Sequence, residues 1–149
     1  MSTDENPRVG EVLPVEAWEM LKQDSGSVLI DVRTHAEWGF VGIPDLSTLQ
    51  NPFLMVEWAQ LPDMSVNPGF VDKVMEQLWG RQPAKMFFLC RSGVRSLRAA
   101  QAVATHLMQI GQVAECVNVL GGFEGDKDSA QHRGTVNGWK VAGLPWRQS

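Results

Sequence analysis

The stretch Cys90-Arg91-Ser92-Gly93-Val94-Arg95-Ser96 brings together the residues of this chain best suited to chemistry. It follows an apolar run from Lys85 to Leu89 and precedes a segment in which Leu97, Ala100, Ala104 and Leu107 repeat at helical spacing. A cysteine between a strand and a helix stands where the first helical turn leaves N–H groups unpaired. The helix macrodipole adds partial positive charge at that end. Arg91 and Arg95 contribute two permanent charges, and Gly93 lets the backbone curl tightly. Each of these favours thiolate over thiol, so Cys90 reads as a nucleophile. Arg91, Ser92, Gly93, Val94, Arg95 and Ser96 read as the binders of an anionic substrate. A cysteine at a strand end ordinarily packs in the core, but packing has no use for two arginines and a glycine around it. Cys116 lacks such neighbours and reads as core.

The elements that must hold this loop follow from periodicity. Val15, Trp18 and Leu21 mark an amphipathic helix over 14–22. Residues 27–32 form a short apolar, β-branched run, hence a buried strand, and residues 85–90 form a second. The prolines and glycines of 34–66 forbid a long helix there, leaving a turn or two over 55–60. Asn67-Pro68 reads as an N-cap and first helical residue, with an apolar stripe from Phe70 to Leu78 ending at Gly80. The strongest helix runs from Gly93 to Ile110, and a third strand spans 113–120. Trp139, Leu144, Pro145 and Trp146 in the tail are expected to pack back onto the body. Strands alternating with helices predict an α/β domain with a mostly parallel sheet covered on both faces. Such sheets bind ligands beyond the carboxyl ends of their strands, where Cys90 lies.

The loop 90–96 resembles the active-site loop of the rhodanese family of sulfurtransferases. The likeness extends to Leu29-Ile30-Asp31-Val32-Arg33, Glu37-Trp38 and Gly42-Ile43-Pro44 upstream. Downstream it takes in Val119-Leu120-Gly121-Gly122-Phe123, Gly138-Trp139-Lys140 and Ala142-Gly143-Leu144-Pro145. The matches run from about residue 10 to residue 146. The resemblance implies a rhodanese-like three-layer domain over 9–149, after a flexible N-terminus over 1–8. It implies a Cys90 persulfide, loaded from thiosulfate or a similar small anionic donor and unloaded onto cyanide or a thiol, with no cofactor or metal. A persulfide carrier charged by a partner, handing sulfur to another protein, is the alternative. Phosphatases and arsenate reductases that share this fold have, by the same resemblance, five residues between cysteine and arginine, whereas four separate Cys90 from Arg95. A phosphatase also needs a general acid, and the nearest acid downstream of the loop in the sequence is Glu115. At the pocket rim the chain departs from the family: Gly42 replaces a histidine, 45–67 is long, and 124–136 is inserted.

Asp31 and Arg33, at the end of the first strand, read as a supporting polar network, Asp31 bonding loop amides and Arg33 pairing with Glu37. His35 reads as a surface residue. The six tryptophans read mostly as core, with Trp58 the candidate for a partly exposed aromatic at the pocket mouth or a partner surface. Asp126-Lys127-Asp128 reads as a solvated loop. Three histidines and two cysteines show no metal-ligand spacing, and two cysteines make no disulfide framework. Composition is ordinary for a globular chain, and 13 Lys+Arg against 17 Asp+Glu disfavours a nucleic-acid partner. No run approaches the length of a membrane span, and the N-terminus lacks the pattern of a secretory signal, so the expected place is the cytoplasm, as a monomer or weak dimer.

Overall fold

A computed structural model describes residues 7–149. In chain order its elements are β1 (Gly10–Val12), α1 (Pro14–Gln23), β2 (Val28–Asp31), α2 (His35–Phe40), β3 (Ile43–Pro44), β4 (Phe53–Met55), β5 (Ala59–Gln60), β6 (Ser65–Val66), α3 (Phe70–Leu78), β7 (Lys85–Leu89), α4 (Val94–Gln109), β8 (Glu115–Val119) and β9 (Trp146–Arg147). The central sheet has the order β1-β8-β7-β2-β4, and every neighbouring pair in it is parallel. Two short antiparallel pairs, β3 with β9 and β5 with β6, lie outside it.

The buried runs of β2 and β7 carry side chains to both faces, because successive residues of a strand point opposite ways. Val28, Ile30, Met86, Phe88 and Cys90 join the layer under α3 and α4, with Phe70, Val74, Ala100, Val103 and Leu107. Leu29, Phe87 and Leu89 face the other way, toward Ala17 and Leu21 of α1 and toward Phe123 and Trp139 of the tail. This is the three-layer α/β arrangement that the rhodanese resemblance implies. Its consequence for the site is direct. The same alternation that buries Met86 and Phe88 turns the Cys90 side chain toward α4.

Several expectations need correction. The sheet gains β1 and β4, each three residues long and too short to show a period. Residues 55–60 form no helical turn; they end β4 and supply β5. Asn67 accepts a hydrogen bond from the Gly69 N–H at 3.0 Å, so Asn67 and Pro68 form a turn and α3 starts at Phe70. Trp79 is no core residue: it caps α3 with φ of 52° and is 88% exposed. Of the six tryptophans only Trp139 is fully buried, while Trp146 packs edge-on against Phe123. Part of the stretch expected to be loose, residues 1–6, lies outside the described residues. Among the described residues no helix is long and apolar enough to cross a membrane.

Candidate active site

Cys90 follows the last residue of β7, and Gly93, with φ of 111°, serves as the N-cap of α4. That left-handed conformation is one an L side chain rarely adopts, and it folds the loop back over the cysteine. The Gly93 N–H donates to Cys90 Sγ at 3.1 Å, and the Ser96 hydroxyl lies 3.2 Å from the same sulfur. The cysteine is buried, with 1% of its surface exposed, yet its sulfur faces polar hydrogens at the N-terminus of a sixteen-residue helix. Ser92 is half-buried, while Arg91 and Val94 are exposed.

The loop is braced from β8 and the turn behind it. Asn118 Nδ2 donates to the Gly93 carbonyl at 3.0 Å, and its Oδ1 lies 2.6 Å from Ser96 Oγ. The Phe123 N–H donates to the Cys90 carbonyl, and the Glu124 and Gly125 N–H groups donate to the Arg91 carbonyl. Gly122 makes this approach possible. A Cβ there would sit 2.4 Å from the Cys90 carbonyl oxygen. Asn118 and Gly122 were not marked as site residues by sequence reasoning. The available signal was an asparagine among the apolar residues Cys116, Val117 and Val119 of β8.

Arg95 does not stand free over the loop. Its guanidinium makes two bonds of 2.8 Å to the Glu37 carboxylate on α2. Burial alone would push the Glu37 carboxyl up; the hydrogen bonds and charge of Arg95, with the N–H and hydroxyl of Thr34, outweigh it and hold the group below its ordinary value. Burial likewise works against the Arg95 cation, and Glu37 more than restores it. Two expectations fall here. Arg33 pairs with Asp31 rather than Glu37, and a carboxylate does approach the loop, from 58 positions upstream of Arg95. Glu37, held ionised, has no proton to give a leaving group.

Asp31 and Arg33 sit at the same edge of the sheet on the opposite face. Both are wholly buried, joined by Nη2–Oδ2 at 2.6 Å, with the Arg33 N–H also donating to Asp31 Oδ1. Arg33 Nη2 donates to the Gly42 carbonyl, and its guanidinium lies 4.2 Å over the Phe123 ring. The pair fixes the tail that braces the loop. His35 is at the surface, its Nδ1 3.3 Å from Glu57. Cys116 is core, and burial pushes its thiol up to about 12.

A cavity of about 400 Å³ lies beside the loop, lined by Thr34, Ala36, Glu37, Leu61, Met64, Arg91 and Arg95. A groove of about 200 Å³ shares Met64 and Arg95 with it and adds Trp58, Ala59, Val66, Val94 and Arg98. The long 45–67 segment thus supplies one wall of the site, with Trp58 half-buried in it. A wider cleft, about 530 Å³, opens at the other end of the sheet among Asp24, Gly26, Arg81 and Ala84, and no cysteine lines it.

Glu37→Gln should lower stability at neutral pH by about 1–3 kcal/mol, the worth of a charge-assisted, partly buried pair. Because the folded-state carboxyl is held below its ordinary 4.5, the wild-type contribution is full above that value and fades as pH falls through the depressed one. Urea denaturation of both proteins should therefore show a gap at pH 7 that closes under acid conditions. A gap independent of pH would mean that the pair does not act through charge.

No protein-family model matches the chain. It is similar to an uncharacterized protein of Rickettsia rickettsii, the RP600 homolog, with 34% identity over 139 residues, 93% of this chain and 98% of that one. The crystal structure of Rv0390 from Mycobacterium tuberculosis matches with 44% identity and a TM-score of 0.79, covering 96% of this chain and 100% of that one. The As-Sb reductase from Leishmania major shares the fold, with a TM-score of 0.54 and 18% identity over 85% of this chain and 92% of that one.

Proposed function

The chain belongs to the same family as Rv0390 and the RP600 homolog of Rickettsia rickettsii, and from the geometry of its Cys90 loop we propose that it is a sulfurtransferase working through a Cys90 persulfide. The observation that carries this reading is the Cys90 sulfur itself, facing the Gly93 N–H and the Ser96 hydroxyl at the start of α4. The thiolate attacks the outer sulfur of thiosulfate or a similar donor. A Cys90 S–S bond forms, the donor S–S bond breaks, and sulfite leaves with the electron pair. Arg91, exposed beside the 400 Å³ cavity, is available to stabilise that departing charge, whereas Arg95 is already paired with Glu37. Cyanide or a thiol then takes the terminal sulfur and restores the thiolate. No cofactor enters either step.

A buried sulfur at the floor of a loop with four residues between Cys90 and Arg95 suits an end-on sulfur atom better than a phosphoryl or arsenyl group with its three peripheral oxygens. The ionised Glu37 further disfavours phosphate-ester hydrolysis, which calls for a proton donor. The carrier reading draws on another feature: Leu61, Val66 and Val94, all more than half exposed, rim the loop and offer a protein partner an apolar landing.

Steady-state kinetics test the proposal. Thiosulfate and cyanide varied together should give parallel double-reciprocal lines, the signature of an enzyme form that stores sulfur between substrates. Intersecting lines would point to direct transfer and overturn the persulfide scheme. Negligible turnover by a protein that nevertheless becomes loaded would favour the carrier.

A further inference from the structure

The Ser96 hydroxyl has one hydrogen and stands near two acceptors, Cys90 Sγ at 3.2 Å and Asn118 Oδ1 at 2.6 Å. Asn118 is itself oriented, because its Nδ2 donates to the Gly93 carbonyl and turns Oδ1 toward Ser96. Gly93 closes the circuit by donating its N–H to Sγ. Cys90, Ser96 and Asn118 are all buried, so these partners are not exchanged for bulk water.

With Cys90 neutral, one direction round this ring satisfies every member. The thiol donates to Ser96 Oγ, Ser96 to Asn118 Oδ1, Asn118 to the Gly93 carbonyl, and Gly93 to Sγ. The ionised sulfur has no hydrogen to give and attracts donors instead. If Ser96 turns its hydrogen to sulfur, Asn118 Oδ1 is left buried without a donor. If Ser96 keeps to Asn118, the sulfur is one donor short. Either way, loss of the thiol proton to solvent base breaks the ring.

Resting on the reading of Cys90 as the nucleophile, we propose that Asn118 is a positioning residue that competes with the Cys90 sulfur for the single Ser96 hydrogen and so restrains ionisation of the unloaded cysteine. A persulfide moves the negative charge to the outer sulfur, and Ser96 is free to return to Asn118. The ring therefore suits both the neutral thiol and the loaded form. It disfavours the bare thiolate, the form most exposed to oxidation.

Among the described residues, the charged groups near the loop include Arg91, Arg95 and Arg98 on the loop and α4, Glu37 on α2, Asp31 and Arg33 at the end of β2, and Glu124 beyond β8. All stay in place when position 118 is changed. The test is titration of the ultraviolet thiolate absorbance of the intact protein. Cys116, with its thiol pushed up to about 12, stays silent through the neutral range. Asn118→Leu removes the competitor and should move the Cys90 midpoint down by about one pH unit, roughly tenfold in ionisation constant. Asn118→Val, suited to a strand, gives the same readout should the leucine variant fail to fold. Asn118→Asp, a stronger acceptor bearing charge, should move the midpoint up. In a Ser96→Ala background the downward shift should vanish. Shifts of Asn118→Leu and Asn118→Asp in one direction, no shift in either, or a leucine shift that survives Ser96→Ala would overturn the inference. The titration needs no turnover, so its failure is distinguishable from failure of the sulfurtransferase reading, which the kinetics decide.

Discussion

Cys90→Ser should abolish sulfur transfer from thiosulfate to cyanide, a loss of about a thousandfold or more, while the protein folds normally. Serine keeps the size of the side chain and a partner for the Gly93 N–H and Ser96. Its alkoxide is inaccessible at neutral pH, and oxygen cannot hold a sulfane sulfur as a stable anion. The expected pattern is an unchanged urea midpoint beside a vanished rate. Substantial residual turnover would place the reacting group elsewhere, and the one other cysteine, Cys116, is buried in the core without the Gly93 and Ser96 partners.

The second large effect belongs to the opposite face of the sheet. Asp31→Ala leaves the Arg33 guanidinium wholly buried with the Gly42 carbonyl as its remaining hydrogen-bond acceptor. Stranding a buried charge in this way should cost about 3–5 kcal/mol. In a chain of this size that is a drop of roughly 10 °C or more in Tm. The damage should reach the active site as well, because Arg33 also stacks on Phe123, whose N–H holds the Cys90 carbonyl. Asp31→Ala combined with Arg33→Met removes both charges and should recover much of the loss in thermal denaturation. A double variant no more stable than Asp31→Ala would show that the site depends on the charges themselves rather than on leaving neither alone.

What the sequence disclosed about the fold depended on length. β2, β7 and α4 carry apolar runs or periods long enough to read, and they are the elements that place Cys90 between a strand end and a helix start. β1 and β4 have three residues each and sit at the two edges of the sheet, so nothing in their patterns separates them from loop. Trp79 misled because an apolar stripe precedes it, while its left-handed cap conformation turns it out to solvent. Within the site the loop residues were legible because they are contiguous. Their partners were not, since Glu37 and Asn118 reach the loop across 58 and 25 positions. One local sign was on view: Thr34 and Glu37 have the spacing of a capping box, and the structure forms it, with Glu37 accepting from Thr34 on one side and Arg95 on the other.

The most direct test of the account is the intact mass of the wild-type protein after incubation with thiosulfate and removal of the excess. It should rise by about 32 Da, one sulfur atom held as a persulfide, and return to its starting value on treatment with cyanide. Peptide mapping should place the increment on Cys90. An unchanged mass in a protein that still forms thiocyanate, or an added sulfur carried on Cys116, would contradict it.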